Sequence, residues 1–288
     1  MITPASWLPH VTLFVGATLL TVAAPTEISG PLARGLRPST FTPAAPPRGM
    51  VFIPDGVFAP VIRAATERAG VPVAAYFLDE RPVTNGEFLA FVRANPRWRR
   101  SQVPRLFADT EYLAHWAGDL DLGPRAPAGS PVVRVSWFAT RAYAAWAGKR
   151  LPTIAEWERA AAAGFNQLEG KNEPGYLGGV LAWYSTPTPA VPPAAGAGRP
   201  NVFGARDLLS LVWEWADDFS TVMMVGDSRN AGGNDFFCGG AANRARDPSD
   251  YAAFMRMGYR SSLRANYTVA NLGFRCAQDL PPQAPANP

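Results

Sequence analysis

The sequence predicts an α+β domain of low regular secondary structure behind an N-terminal apolar segment. Of 288 residues, 48% are apolar and 17% charged. An average domain has roughly 25% charged residues, so the chain has material for a sizeable core and is not disordered throughout. The 29 Pro and 26 Gly make up about 19% of the chain, against roughly 12% in average usage. That richness predicts long irregular connections between short elements and argues against a helical bundle. Short strand patterns come first, separate helix patterns follow, and no internal repeat is present.

Residues 7–24, WLPHVTLFVGATLLTVAA, are almost wholly apolar, with Trp7, Leu13, Phe14, Leu19 and Leu20 as their bulk. As a helix they span about 27 Å, just short of the roughly 30 Å hydrocarbon core. The residues before them, MITPAS, lack the basic charge of a cleavable signal, and Pro25 directly follows the small residues Val22-Ala23-Ala24. We therefore expect an uncleaved transmembrane anchor over 1–24, with a secretory signal or a buried helix as the alternatives. Arg34 and Arg37 oppose export under the positive-inside rule. Residues 25–48 are Pro-rich without apolar periodicity and read as a tether, so the globular domain is 49–288.

Within that domain, residues 49–58 read as strand, turn at Pro54-Asp55-Gly56, and strand. Residues 71–78 read as a further strand whose Pro72 confines it to an edge or an end. Phe88, Phe91 and Val92 recur at helical spacing behind a Thr84 or Asn85 cap. A second helix is expected over 137–147. A third, over 154–163, opens with a capping box at Thr153 and Glu156. Trp137, Trp146, Trp157, Trp213 and Trp215 read as core pillars. Arg150, Glu156, Glu158, Glu214 and Arg275 lie in apolar context and are expected to form buried or half-buried ion pairs.

Several functions are excluded early. The net charge of +4 comes without a basic run, so no nucleic-acid partner is expected. His10 and His115 are the only histidines, too few for a three-His metal site, and a Ser-His-Asp arrangement has no support. His115 reads as a loop or surface residue. Cys238 and Cys276 can be one disulfide or two buried thiols. Gly232-Gly233 and Gly239-Gly240 lack the context of a phosphate loop.

Three segments resemble the formylglycine-generating enzyme, or sulfatase-modifying factor, family. The first is Pro131-Val132-Val133-Arg134-Val135-Ser136-Trp137, continuing through Gly148-Lys149-Arg150-Leu151-Pro152-Thr153 to Ala155-Glu156-Trp157-Glu158. The second contains Asn201, Phe203-Gly204, Asp207-Leu208 and Val212-Trp213-Glu214-Trp215. The third contains Gly239-Gly240, Arg260-Ser261 and Asn271-Leu272-Gly273-Phe274-Arg275-Cys276. The resemblance implies the family's fold, itself similar to the C-type lectin fold, with Gly273 and Arg275 locking the C-terminal segment. It also implies a disulfide: the family's terminal cysteine pairs with a helix position that is Ala144 here, which leaves Cys238 as the expected partner of Cys276.

The departures shape the functional expectation. Oxidising members resemble one another in a cysteine pair that holds copper(I) between the Gly-Gly motif and the final Arg-rich segment, and residues 239–260 contain no cysteine here. No cofactor is therefore expected, apart from a weak calcium site near Glu214 and Asp217. We expect a non-catalytic pseudoenzyme, an accessory subunit binding a membrane protein complex, for example an electron-transfer or photosynthetic one, on the periplasmic face of a bacterial inner membrane. Arg244, Arg246, Tyr251, Phe254, Arg256, Tyr259, Arg260 and Arg264 are the candidate partner-binding residues, being types enriched at interface hot spots. The alternatives are an exported enzyme or maturation factor with a polar pocket around Arg260, Arg264 and Asn271, and a soluble periplasmic binding module.

Overall fold

A computed structural model describes residues 45–61, 70–220 and 251–281. The apolar segment with Trp7, Leu13, Phe14, Leu19 and Leu20, the tether up to residue 44, and Cys238, Arg244 and Arg246 lie outside these residues. Among the described residues, no helix is long and apolar enough to cross a membrane.

The first strands, β1 (Met50–Ile53), β2 (Gly56–Phe58), β3 (Val71–Val73) and β4 (Tyr76–Asp79), form a bent hairpin. β1 pairs antiparallel with β4, Met50 opposite Asp79, whereas β2 pairs with β3, Val57 opposite Pro72. The single strand expected over 71–78 is thus two strands in two sheets. Pro54 and Asp55 interrupt the outgoing arm and Ala74-Ala75 the returning one, because Pro54 has no N–H to carry the ladder through.

Helix α1 (Asn85–Ala94) starts at the Thr84 cap with a complete capping box to Glu87. α2 (Trp137–Trp146) is capped by Ser136, and α3 (Ile154–Ala161) by the expected box of Thr153 and Glu156. Two further helices have no counterpart in the sequence reading. α4 (Tyr176–Ser185) starts at Gly175 in the left-handed region without a side-chain cap and contains two glycines, so it carries little helical signal. α5 (Tyr251–Ser261) buries Ala252, Arg256 and Arg260, and a stripe of arginines is invisible to a search for apolar periodicity.

β5 (Trp213–Glu214) pairs in parallel with β6 (Leu272–Gly273), and β7 (Ala277–Asp279) adds to β4, giving the sheet order β1-β4-β7. All four residues of the central β4 are buried. The C-terminal strand thereby closes the domain against its first hairpin. One apolar core, with Phe88, Phe91, Trp116, Tyr143, Trp215 and Phe274, lies under α1 and α2. A second, with Ile53, Tyr76, Leu78, Trp157 and Leu208, lies between the sheet and α3. Trp157 and Trp215 are core residues as expected, but Trp146 is 46% exposed. The expectation for Trp146 is corrected: it ends α2, where only one side of the ring meets Phe91 and Tyr143.

Candidate functional site

The charged residues predicted to pair are brought together on α3 and the β5–β6 pair. Arg150 grips Glu156 with two bonds of 2.7 Å, and Glu156 also accepts the Thr153 backbone N–H, so one carboxylate starts the helix and fixes the segment before it. Glu214 and Arg275 are both completely buried in their side chains. Arg275 Nε and Nη2 donate to the two Glu214 oxygens at 2.8 Å. Its remaining donors reach the carbonyl oxygens of Asp79, Glu80 and Arg206. All five guanidinium hydrogens are used, which is the condition for burying this charge without a large penalty. The Trp157 indole N–H donates to Glu214 at 2.7 Å, and the Trp215 indole N–H to the Val135 carbonyl at 2.9 Å. Gly273 is required by proximity: a Cβ there would sit 2.6 Å from the Val132 carbonyl oxygen.

A second ionic cluster shares α3. Glu158 accepts from Arg256 at 2.8–3.1 Å and from Arg260 Nη1 at 2.5 Å, with Arg256 also donating to the Tyr184 hydroxyl at 3.0 Å. Arg260 lies over the Trp157 ring, 4.7 Å from its centre, so Trp157 joins the two clusters. Burial opposes the Glu158 charge, but the two guanidinium groups outweigh it and hold the carboxyl down at about 2. The Arg256 guanidinium is held further up by Glu158 against its own burial, and burial pushes the Tyr184 and Tyr259 hydroxyls up. The cleft between Trp157, Trp183, Trp213 and the two arginines has no room even for a water molecule. These groups hold one another over a filled cleft.

These contacts correct the expectation that Arg256 and Arg260 face a partner. Both are buried, because two cations balance better against Glu158 than they would unpaired beneath a helix. The other candidates on this segment are differently placed. Tyr251 and Arg264 are exposed, with Arg264 over the Tyr267 ring, while Phe254 and Tyr259 are half-buried, Tyr259 stacking on Trp213 at 4.4 Å. The polar pocket considered around Arg260, Arg264 and Asn271 does not converge: Arg260 turns to Glu158, and Asn271 donates to the Thr188 hydroxyl at 3.2 Å.

The calcium expectation is corrected as well. Both Glu214 oxygens are taken by Arg275 and Trp157, and a cation there would stand beside a guanidinium. Asp217 instead meets Arg141 at 3.1 Å. Among the described residues, no three His, Cys, Asp or Glu side chains are gathered as a metal ion would require. Cys276 is a free, fully buried thiol in the same core as Ala144, and its expected partner, Cys238, lies outside the described residues. Burial pushes the Cys276 thiol well up. His115, expected as a loop or surface residue, lies in a turn but is buried, with Nε2 3.3 Å from Asn85 Oδ1 and no partner for Nδ1.

Sequence reading therefore found Glu158 as a buried charge but assigned its two partners to an outer surface. The available signal was the spacing of Ala252, Arg256 and Arg260, which marks one face of a helix.

Residues 38–280 match the family described as Sulfatase-modifying factor enzyme 1-like domain. A formylglycine-generating enzyme of Streptomyces coelicolor is 32% identical, covering 82% of this chain and 92% of that protein. A mouse (Mus musculus) protein named Inactive C-alpha-formylglycine-generating enzyme 2 is 30% identical, covering 79% of this chain and 85% of that one. The solved structure of PvdO from Pseudomonas aeruginosa aligns with a TM-score of 0.41 at 20% identity, over 80% of this chain and 94% of that chain. The chain belongs to the formylglycine-generating enzyme, or sulfatase-modifying factor, family.

Proposed function

We propose that this chain is a non-catalytic member of its family, a pseudoenzyme that binds and braces a membrane protein complex. The observation that carries the reading is the state of the segment where oxidising members carry their cysteine pair. It has no cysteine between residues 239 and 260, and its described half is a helix whose Arg256 and Arg260 are sealed against Glu158 over a filled cleft. A nucleophile and an entry path are both needed for thiol chemistry, and neither is supplied by α5. That a relative 30% identical to this chain is named an inactive formylglycine-generating enzyme supports this reading. The apolar residues 7–24 would anchor the domain at the membrane, on its periplasmic side.

Mild-detergent extraction of native membranes, size separation and mass spectrometry of co-migrating chains test this reading. Retention of residues 1–24 and a fixed stoichiometry with a large complex are expected. A chain that runs alone, cleaved after Ala24, would refute the subunit role. Conversion of a cysteine-containing sulfatase peptide to the aldehyde would refute the pseudoenzyme assignment.

A further inference from the structure

We propose that the surface built by the end of α1, the single turn Pro96–Trp98 and the loop after it docks against an anionic lipid surface. Between Glu87 and Asp109 the sequence carries five arginines and no carboxylate. One of them, Arg100, turns inward to the carbonyl oxygens of Leu113 and Trp116. Arg93, Arg97 and Arg105 are exposed and form no ion pair among the described residues. Two acids reach this region from outside it: Asp119 accepts from Ser101, and Asp109 is engaged by Thr268. The surface stays positive.

The same loop puts apolar side chains into water. Leu106 is 73% exposed and Phe107 38%, and Trp146 lies on the same aromatic run. Ring contacts lead from Phe107 to Trp98 at 6.4 Å, on to Phe91 at 6.3 Å, and on to Trp146 at 5.7 Å. Phe107 and Trp146 thus each rest one edge on the buried rings of Trp98 and Phe91, and Leu106 stands out beside Phe107. Arginines beside a presented Leu and Phe match a bilayer interface, where the cations meet phosphates and the apolar tips enter the acyl boundary. Between an acidic protein and an anionic bilayer, the strip of cations flanking protruding apolar tips fits the bilayer, which offers phosphates and acyl chains in adjacent layers. This docking concerns the folded domain and goes beyond the anchor assigned to residues 7–24.

The test is hydroxyl-radical footprinting of the full chain in nanodiscs of pure POPC and of POPC with roughly 30% POPG. In the anionic discs at low salt, oxidation of Leu106, Phe107 and Trp146 should fall by about threefold or more. In 0.5 M salt, where the screening length is only a few Å, it should recover. The variant R93E/R97E/R105E should lose the protection while keeping the wild-type urea midpoint. Equal oxidation in both discs, equal protection in both, or protection only when other membrane proteins are added would each overturn the proposal. The peptide 7–24 is read in the same spectra. Its protection without that of Leu106 would refute docking and keep the anchor; the reverse would keep docking and refute the anchor.

Discussion

Replacing Glu214 with Gln leaves the shape of the β5–β6 junction nearly unchanged and removes one charge from a pair that water does not reach. Arg275 would keep its bonds to the carbonyl oxygens of Asp79, Glu80 and Arg206, but its two strongest, to Glu214 at 2.8 Å, would be lost or reversed. The Gln amide offers one acceptor where two are needed and turns a donor toward the guanidinium. Removing one partner of a buried ion pair costs about 3–5 kcal/mol. For a domain of this size each kcal/mol lowers the midpoint by roughly 2–4 °C, so E214Q should melt about 6–20 °C below wild type. Urea unfolding followed by tryptophan fluorescence measures the loss directly. R275M should cost a similar amount because it strands the carboxylate. The double variant should fall short of the summed losses by roughly 1 kcal/mol or more, since the second change removes the unpaired charge left by the first. An E214Q loss under about 1 kcal/mol, or strict additivity, would refute the claim that this charge pair locks the C-terminal segment.

Three other outcomes follow from the same structure. G273A should destabilise by about 1–3 kcal/mol, because its Cβ would meet the Val132 carbonyl, whereas G258A, on the exposed face of α5 with nothing within 4 Å, should stabilise by up to about 1 kcal/mol in the same unfolding assay. His115 is lowered to about 4, first by burial and then by Arg134, Arg125 and Arg100. The unfolded chain therefore binds the extra proton between about pH 6.5 and 4, and the stability His115 contributes above pH 6.5 is lost as pH falls through that window, by up to about 3 kcal/mol. H115Q should flatten that limb of the stability profile, and an unchanged slope would show that the ring is accessible to protons in the folded state. Cys276, buried with its thiol pushed up, should resist iodoacetamide in native protein, and denatured, unreduced chain should take up two labels. A single mass lacking both labels would restore the bond to Cys238.

The local features were legible in the sequence because they are set by neighbours a few residues apart. Thr84 with Glu87 and Thr153 with Glu156 each start a helix through bonds within one turn. The charges at 150, 156, 158, 214 and 275 announced themselves by standing in apolar context, and the family was readable from motifs spread along the chain. Tertiary structure alone decided which charge meets which. Arg275 finds Glu214 only because β6 lies beside β5, and Glu158 lies 98 residues from Arg256 in sequence. Nothing in the spacing of α5 states that its inner face is cationic until α3 supplies the carboxylate. Burying a charge costs more than any local preference returns, so a partner distant in sequence, once folding brings it near, overrides the pattern that would have left those arginines in water.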